Sequence, residues 1–232
     1  MRIIQPQVFV VDFRTDDVMK SLEAKARLCY RSFDNMDASS ADKLIASLIK
    51  RGHEAMIEHE SVSIQFVCDR GVSHEIVRHR LGSYAQESTR YCNYAKDKFG
   101  GEITVIEPYF FKDSPLYEPW YQACKSAEDA YLDLLENGAT AQEARSVLPN
   151  STKTAIWCTY NLREFRHFLK LRVAPAAHPQ MRQLTIPLLW LMNKKLPGVF
   201  EDIEIGDIPD ELMNSLAYCR TVPPTFTSYE GN

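Results

Sequence analysis

Apolar and polar positions along the chain alternate in two periods. From Ser61 to Asp69, SVSIQFVCD, the residues Val62, Ile64, Phe66 and Cys68 alternate with their neighbours, the mark of a strand with one buried and one wet face. Residues 7–13, QVFVVDF, read as a first strand, 102–107 as another, and 152–160 as β-prone. The helical period governs most of the rest. Val18, Leu22, Ala26 and Cys29 share a face over 17–32, and Leu44, Ile45, Leu48 and Ile49 form a stripe behind a Ser39 or Ser40 cap that stops at Gly52. A short helix, VSHEIVRHR, follows Gly71. A long one opens at Ser114-Pro115 and closes at Asn137-Gly138, and Thr140 with Glu143 forms a capping box for a helix ending near Leu148-Pro149. Residues 161–171 are helical, and 178–195 form a helix with Pro187 as an expected kink. No repeat or linker interrupts the pattern. The prediction is α+β: a single helix-rich domain over residues 1–232, with an antiparallel or mixed sheet.

Bulk composition narrows the function only by exclusion. The 232 residues are 45% apolar and 25% charged, enough for a sizeable core, and the formal net charge of -4 gives no global pull toward nucleic acid or anionic lipid. An anionic ligand must therefore be met by a local cluster. No run is apolar and long enough to span a bilayer and the N-terminus lacks a secretory pattern, so a cytoplasmic protein without membrane partners is expected. The six cysteines have no paired spacing and are expected to be reduced, mostly buried thiols.

One stretch departs from ordinary surface composition. RHRLGSYAQESTRY, from Arg78 to Tyr91, holds three arginines, a histidine and several hydroxyls with little to bury. No phosphate-binding glycine loop exists anywhere in the chain, so arginines and hydroxyls would have to hold any nucleotide. Arg166 and Arg182 are expected to be solvated surface charges, whereas Arg78, Arg80, Arg90, Arg145, Arg163 and Arg172 fit a ligand-binding set. Four histidines, His53, His59, His74 and His79, fall close together, yet none are paired at i, i+4 on one helix, and no metal site is expected. An RNA-binding module stacking bases on Tyr84, Tyr91 and Tyr94 is the rival from another class. Without a GxSxG elbow, Ser88 reads as a positioning hydroxyl rather than a nucleophile.

Arg78-His79-Arg80, seven residues and then Ser88 resembles the RHRx7S signature of the flavin-dependent thymidylate synthases. Gly52-His53 with Glu58-His59 resembles that family's GHxxxxEH segment. EARSVLP from Glu143 resembles ARxxLP, and Asn161-Leu162-Arg163 with FLKLR from Phe168 resembles NxRxxxxFxxLR. The segments follow in family order from about residue 50 to 180.

The resemblance implies a homotetramer with active sites where subunits meet, each holding FAD. The implied reaction methylates dUMP to dTMP, taking the carbon from methylenetetrahydrofolate and the reducing hydride from NADPH through the flavin. It implies flavin contacts from Arg78, His79, Arg80 and Gln86, and from Asn161, Arg163 and His167 of a neighbouring subunit. It places Glu75, Arg78, Gln86, Glu87, Ser88, Thr89, Arg90 and Arg145 around dUMP, and Arg172 against the pyrimidine ring. His53 is implied near flavin and folate, so that His53, Ser88 and Arg172 carry the catalytic roles. Either Gln86 or Glu87 supplies the carboxylate-type contact, Ala55 removes a hydroxyl that relatives direct at FAD, and the segment 173–178 is longer than in some relatives.

Overall fold

A computed structural model describes residues 1–11, 15–96 and 99–223. Its strands and helices run in the order β1 (Arg2–Ile4), β2 (Gln7–Val11), α1 (Thr15–Leu28), α2 (Ser40–Lys50), β3 (Ser61–Asp69), α3 (Arg70–Ile76), β4 (Ser83–Gln86), β5 (Thr104–Ile106), α4 (Tyr117–Glu136), α5 (Ala141–Ala144), β6 (Lys153–Asn161), α6 (Leu162–Arg172), α7 (Pro179–Lys195), α8 (Asp210–Asn214) and β7 (Tyr218–Val222). Five strands form a sheet in the order β4-β6-β3-β2-β7, antiparallel except for the β2–β7 pair, and β1 pairs with β5 in a separate parallel ribbon. The fold is α+β with a mixed sheet, as the hydrophobic pattern implies.

The centre of the sheet is the pairing of β3 with β6, nine residues in register from Ser61 opposite Asn161 to Asp69 opposite Lys153. In β6 the alternation is strict, with Thr154, Ile156, Cys158 and Tyr160 buried. β3 departs from the expected half-wet strand: from Ile64 onward both faces are covered. Its second face enters a small core in which Val67 packs with Ile4, Phe9, Ile106 and Val222. The main core joins the other face to α1, α2, α6 and α7. A third cluster, including Tyr94, Val105, Cys124 and Tyr131, lies under α4.

Several boundaries move from their expected places. The first helix ends at Leu28, short of residue 32, and Arg31 turns the chain at φ 48°, leaving Cys29 exposed rather than on the buried face. Cys68, Cys124 and Cys158 are buried while Cys92 and Cys219 are half-buried, so half of the thiols, rather than most, are fully enclosed. Residues 12 and 13 of the expected first strand lie outside the described residues. The long helix starts at Tyr117, so Pro119 rather than Pro115 occupies its first turn, and Gly138 follows its end at φ 94°. The Thr140–Glu143 box forms, with Glu143 Oε2 accepting from Thr140 N at 2.8 Å, but the helix behind it is only Ala141–Ala144 before a tighter turn over Arg145–Val147. Around Pro187 the helix is continuous from Pro179 to Lys195.

Arg166 and Arg182 overturn the expectation of solvated surface charges. Arg166 is 1% exposed, held by Glu54 and Asp202 and donating to the carbonyl of Val199. Buried Arg182 donates to the carbonyls of Val173, Ile205 and Asp207. Each satisfies a planar fork of donors inside the protein, which is how a buried guanidinium avoids an uncompensated desolvation cost.

Candidate active site

The RHR stretch begins where α3 ends. Asp69 caps this helix, its Oδ1 accepting from Val72 N at 2.8 Å. Tyr84 of β4 reaches back to the far end, donating its hydroxyl toward the carbonyls of Ile76 and His79. Gly82 fits beneath this contact because it has no side chain: a Cβ there would lie 2.5 Å from Cε1 of Tyr160 and 2.8 Å from the Tyr84 hydroxyl. Arg78 and Arg80 point out from this tied loop, exposed and without a side-chain hydrogen bond to any described residue. His79 points inward and is buried.

Three of the implied site residues meet at His79. Arg172, at the last turn of α6, donates from Nε to His79 Nε2 at 3.1 Å, from Nη1 to Glu75 Oε2 at 2.6 Å, and from Nη2 to the Glu75 carbonyl at 3.0 Å. The carbonyl of Arg172 itself accepts from Thr185 on α7 at 2.9 Å. Phe168 presents an edge to the His79 ring at 4.8 Å, and His167 stands 5.7 Å away. Burial, the Arg172 charge and His167 push His79 down to a pKa of about 4, so its imidazole is neutral at neutral pH. His79, Glu164 and His167 bring ligand atoms within 4.8 Å of one another. With Arg172 on Nε2 and Glu164 on the Nδ1 side, the trio forms an electrostatic cluster around the imidazole. Of the histidine-rich window, only His79 joins it.

A second group lies along β4 and beyond. Gln86 turns its amide into the framework, donating to Ser73 Oγ at 2.9 Å and Thr154 Oγ1 at 3.2 Å. Glu87 Oε2 accepts from Lys153 Nζ at 2.8 Å and from Ala155 N at 3.3 Å. Ser88 Oγ accepts from Arg90 N at 3.3 Å, a local turn contact. Arg145 Nη1 donates to the buried Thr89 Oγ1 at 3.4 Å and Arg90 Nη2 to Gln142 Oε1 at 3.5 Å. The 140–149 segment is thereby brought against residues 88–90, and two arginines and two hydroxyls converge there.

The third group is one face of α6. Asn161 caps the helix, its Oδ1 accepting from Glu164 N at 2.8 Å. Arg163, His167 and Lys170 are exposed at i, i+4 and i+7, while Phe165, Arg166, Phe168 and Leu169 face inward. A cavity of about 580 Å³ runs along the outer face, lined by Leu81, Asn161, Arg163, His167 and Lys170 with Glu54 and Glu58 opposite. Glu58 pairs with Arg163. His53 is exposed at the start of the turn over Glu54–His59, and no described contact ties its side chain to the other groups.

In donor chemistry, the free guanidinium groups of Arg78 and Arg80 and the basic stripe of α6 fit the pyrophosphate of a flavin dinucleotide. Glu54, Glu164, Lys153 and Lys170 are members of these groups that sequence reasoning missed. A lone Glu or Lys on a helix carries no motif, and only the packing reveals what it faces. Of the three tyrosines named for base stacking, Tyr94 is buried against Phe99 and Tyr131, the Tyr84 hydroxyl is engaged, and Tyr91 is exposed.

Comparison with known proteins identifies the family. Residues 11–198 match the family described as thymidylate synthase complementing protein. A flavin-dependent thymidylate synthase of Geobacter sulfurreducens is 34% identical over 203 residues, covering 83% of this chain and 84% of the relative. One from Pyrococcus furiosus is 32% identical over 71% of this chain and 67% of its own length. One from Corynebacterium aurimucosum is 31% identical over 86% and 87%. In fold, the chain is similar to a UMP/dUMP methylase, PolB, from Streptomyces cacaoi, solved with 5-Br dUMP, with a TM-score of 0.72 and 21% identity over 87% of this chain and 96% of that one. On the family match and on the identity shared with these relatives, the chain belongs to the flavin-dependent thymidylate synthase family.

Proposed function

We propose that this chain, acting as a single domain over residues 1–232, catalyses the reductive methylation of dUMP to dTMP, using FAD, with methylenetetrahydrofolate as carbon donor and NADPH as reductant. The observation that carries the reading is the convergence of Arg172 from α6, Glu75 from α3 and His79 from the loop after α3 into one ion-paired cluster. Arg172 holds a permanent positive charge beside the pyrimidine, where it stabilises negative charge on the N3/O2 side as C5 becomes nucleophilic. Ser88, Thr89, Arg90 and Arg145 hold the nucleotide phosphate, with Gln86 and Glu87 supporting that wall from inside. Arg78, Arg80, Asn161, Arg163 and His167 bind the flavin, and His53 lies toward flavin and folate. The flavin, when bound, supplies the hydride.

No thiol need attack the ring. Burial raises the thiols of Cys68 and Cys124 and pushes those of Cys158 and Cys219 up to about 12, so none of these four is a thiolate at neutral pH. The exposed arginines and the one-sided cavity support assembly as a homotetramer with sites completed between subunits. A cytoplasmic location accords with a fold in which no helix of the described residues is long and apolar enough to cross a membrane.

The test is an anaerobic visible spectrum of the purified protein before and after NADPH, with and without dUMP, followed by assay of dTMP. A flavin band that bleaches with NADPH, and dTMP formed once methylenetetrahydrofolate is added, is the expected result. A protein that takes up no FAD would sink the proposal.

A further inference from the structure

The surroundings of His79 give work to Glu164, a residue outside every recognised motif position. Glu164 is buried in the first turn of α6, and its Oε1 stands 3.6 Å from His79 Nδ1. The opposite nitrogen, Nε2, receives the Nε–H of Arg172 at 3.1 Å. A guanidinium can only donate, so Nε2 must present its lone pair. A neutral imidazole with a lone pair at Nε2 carries its proton at Nδ1, on the side of Glu164. At 3.6 Å the carboxylate acts as a charge facing the N–H dipole rather than as a short hydrogen bond. In the other tautomer two N–H groups would point at each other across the Arg172 contact, and the guanidinium would lose one of its three ties.

We propose that Glu164 is a positioning residue: by keeping the His79 proton on Nδ1 it leaves Nε2 free to accept from Arg172, and so fixes the guanidinium for the pyrimidine. The role in the reaction rests on the synthase reading, whereas the tautomer does not. The charged and titratable groups facing the ring are Glu164, His167 and Arg172 from α6. Glu75 of α3 reaches it through Arg172, and Tyr84 of β4 meets the His79 carbonyl. Glu164 is the one anion directly beside the imidazole among them. Arg172 favours the same tautomer from the Nε2 side, and Glu164 favours it from the Nδ1 side, where the proton sits.

The experiment is a two-bond ¹H–¹⁵N correlation spectrum of the full-length protein labelled at histidine, recorded near neutral pH, with His79 assigned by its disappearance in His79→Gln. The wild type should show His79 as the single neutral Nδ1–H tautomer. Glu164→Leu should give a mixture or the Nε2–H form, and should lower kcat for dTMP about tenfold or more with FAD content retained, the effect of loosening one charge-assisted tie. Glu164→Gln, whose amide oxygen still turns partial negative charge toward the Nδ1–H dipole, should keep the tautomer and recover turnover relative to the leucine variant. A wild-type His79 protonated at Nε2, or a Glu164→Leu protein with unchanged tautomer, overturns the relay. A shifted tautomer with unchanged kcat overturns the positioning role. If Glu164→Leu does not fold, the wild-type and Glu164→Gln spectra decide, an Nε2–H His79 in either being fatal. A wild type that forms no dTMP defeats the synthase reading, and that result is separate from the tautomer.

Discussion

At the scale of single residues, Arg172 concentrates the chemistry. All three guanidinium nitrogens are committed, two to Glu75 and one to His79, so its charge is held in one orientation before substrate arrives. Removing a preorganised group of this kind costs roughly 10²–10³ in rate. Arg172→Ala should therefore retain FAD, read by its visible absorbance, and lose dTMP formation by about that factor; unchanged turnover would remove Arg172 from the mechanism. His79 gives a pH prediction. Its folded-state pKa is depressed to about 4 from the usual 6.5, so the unfolded chain binds the proton first as pH falls. The stability tied to a neutral His79 is fully present above pH 6.5 and is lost progressively down to about pH 4. Urea unfolding across that window should show a steeper decline for the wild type than for His79→Gln. That a histidine of the RHR triplet faces inward was not legible in the sequence, because its two arginine neighbours face out and the loop has no period.

At the scale of elements, α6 shows how much a pattern can carry. Residues 161–171 read as helical, and the structure puts Phe165, Phe168 and Leu169 on the inner face behind an Asn161 cap, but the helical period gave no reason to bury Arg166. That burial depends on Glu54 and Asp202, which lie 112 and 36 residues away in the chain. Cutting a buried pair at one end costs roughly 3–5 kcal/mol, and because Asp202 is 50% exposed the charge left behind is partly solvated. Arg166→Ala is thus expected to destabilise the fold by about 3 kcal/mol in urea titration; a loss under about 1 kcal/mol would show that this network contributes little. Gly82 is the corresponding point in the RHR loop. Gly82→Ala puts a methyl group into the Tyr160 ring and the Tyr84 hydroxyl, an overpacking that costs about 1–3 kcal/mol. It should also weaken FAD retention, since the strand–helix tie that aims Arg78 and Arg80 would have to shift.

At the scale of the whole molecule, one chain presents the proposed site as separate surfaces: the outer face of α6 with its cavity, the exposed arginines after α3, and the group around residues 88–90. Assembly from several subunits makes a direct prediction. Arg172→Ala and Arg163→Ala proteins, each poorly active alone, should recover turnover when unfolded and refolded together, because mixed assemblies contain some sites with both arginines. Sedimentation at the tetramer mass with no recovery on mixing would instead place both arginines in a site built by one subunit. The whole molecule also explains the miss at β3. A wet second face was the natural reading of its alternation, yet β1, β5 and β7 contribute Ile4, Ile106 and Val222 to cover it.

The sequence by itself determined the local periods, the capping box at Thr140, the α+β class, and the ordered motifs that mark the family. These are legible because residues two to four apart are neighbours in any strand or helix. Only the tertiary structure decided that α6 ends against α3, joining Arg172 to Glu75 and His79 across 97 and 93 residues of chain. It alone decided which arginines are buried and which nitrogen of His79 faces a carboxylate. Such contacts are set by how layers pack and by the need to pair each buried charge, and no local period in the chain encodes them.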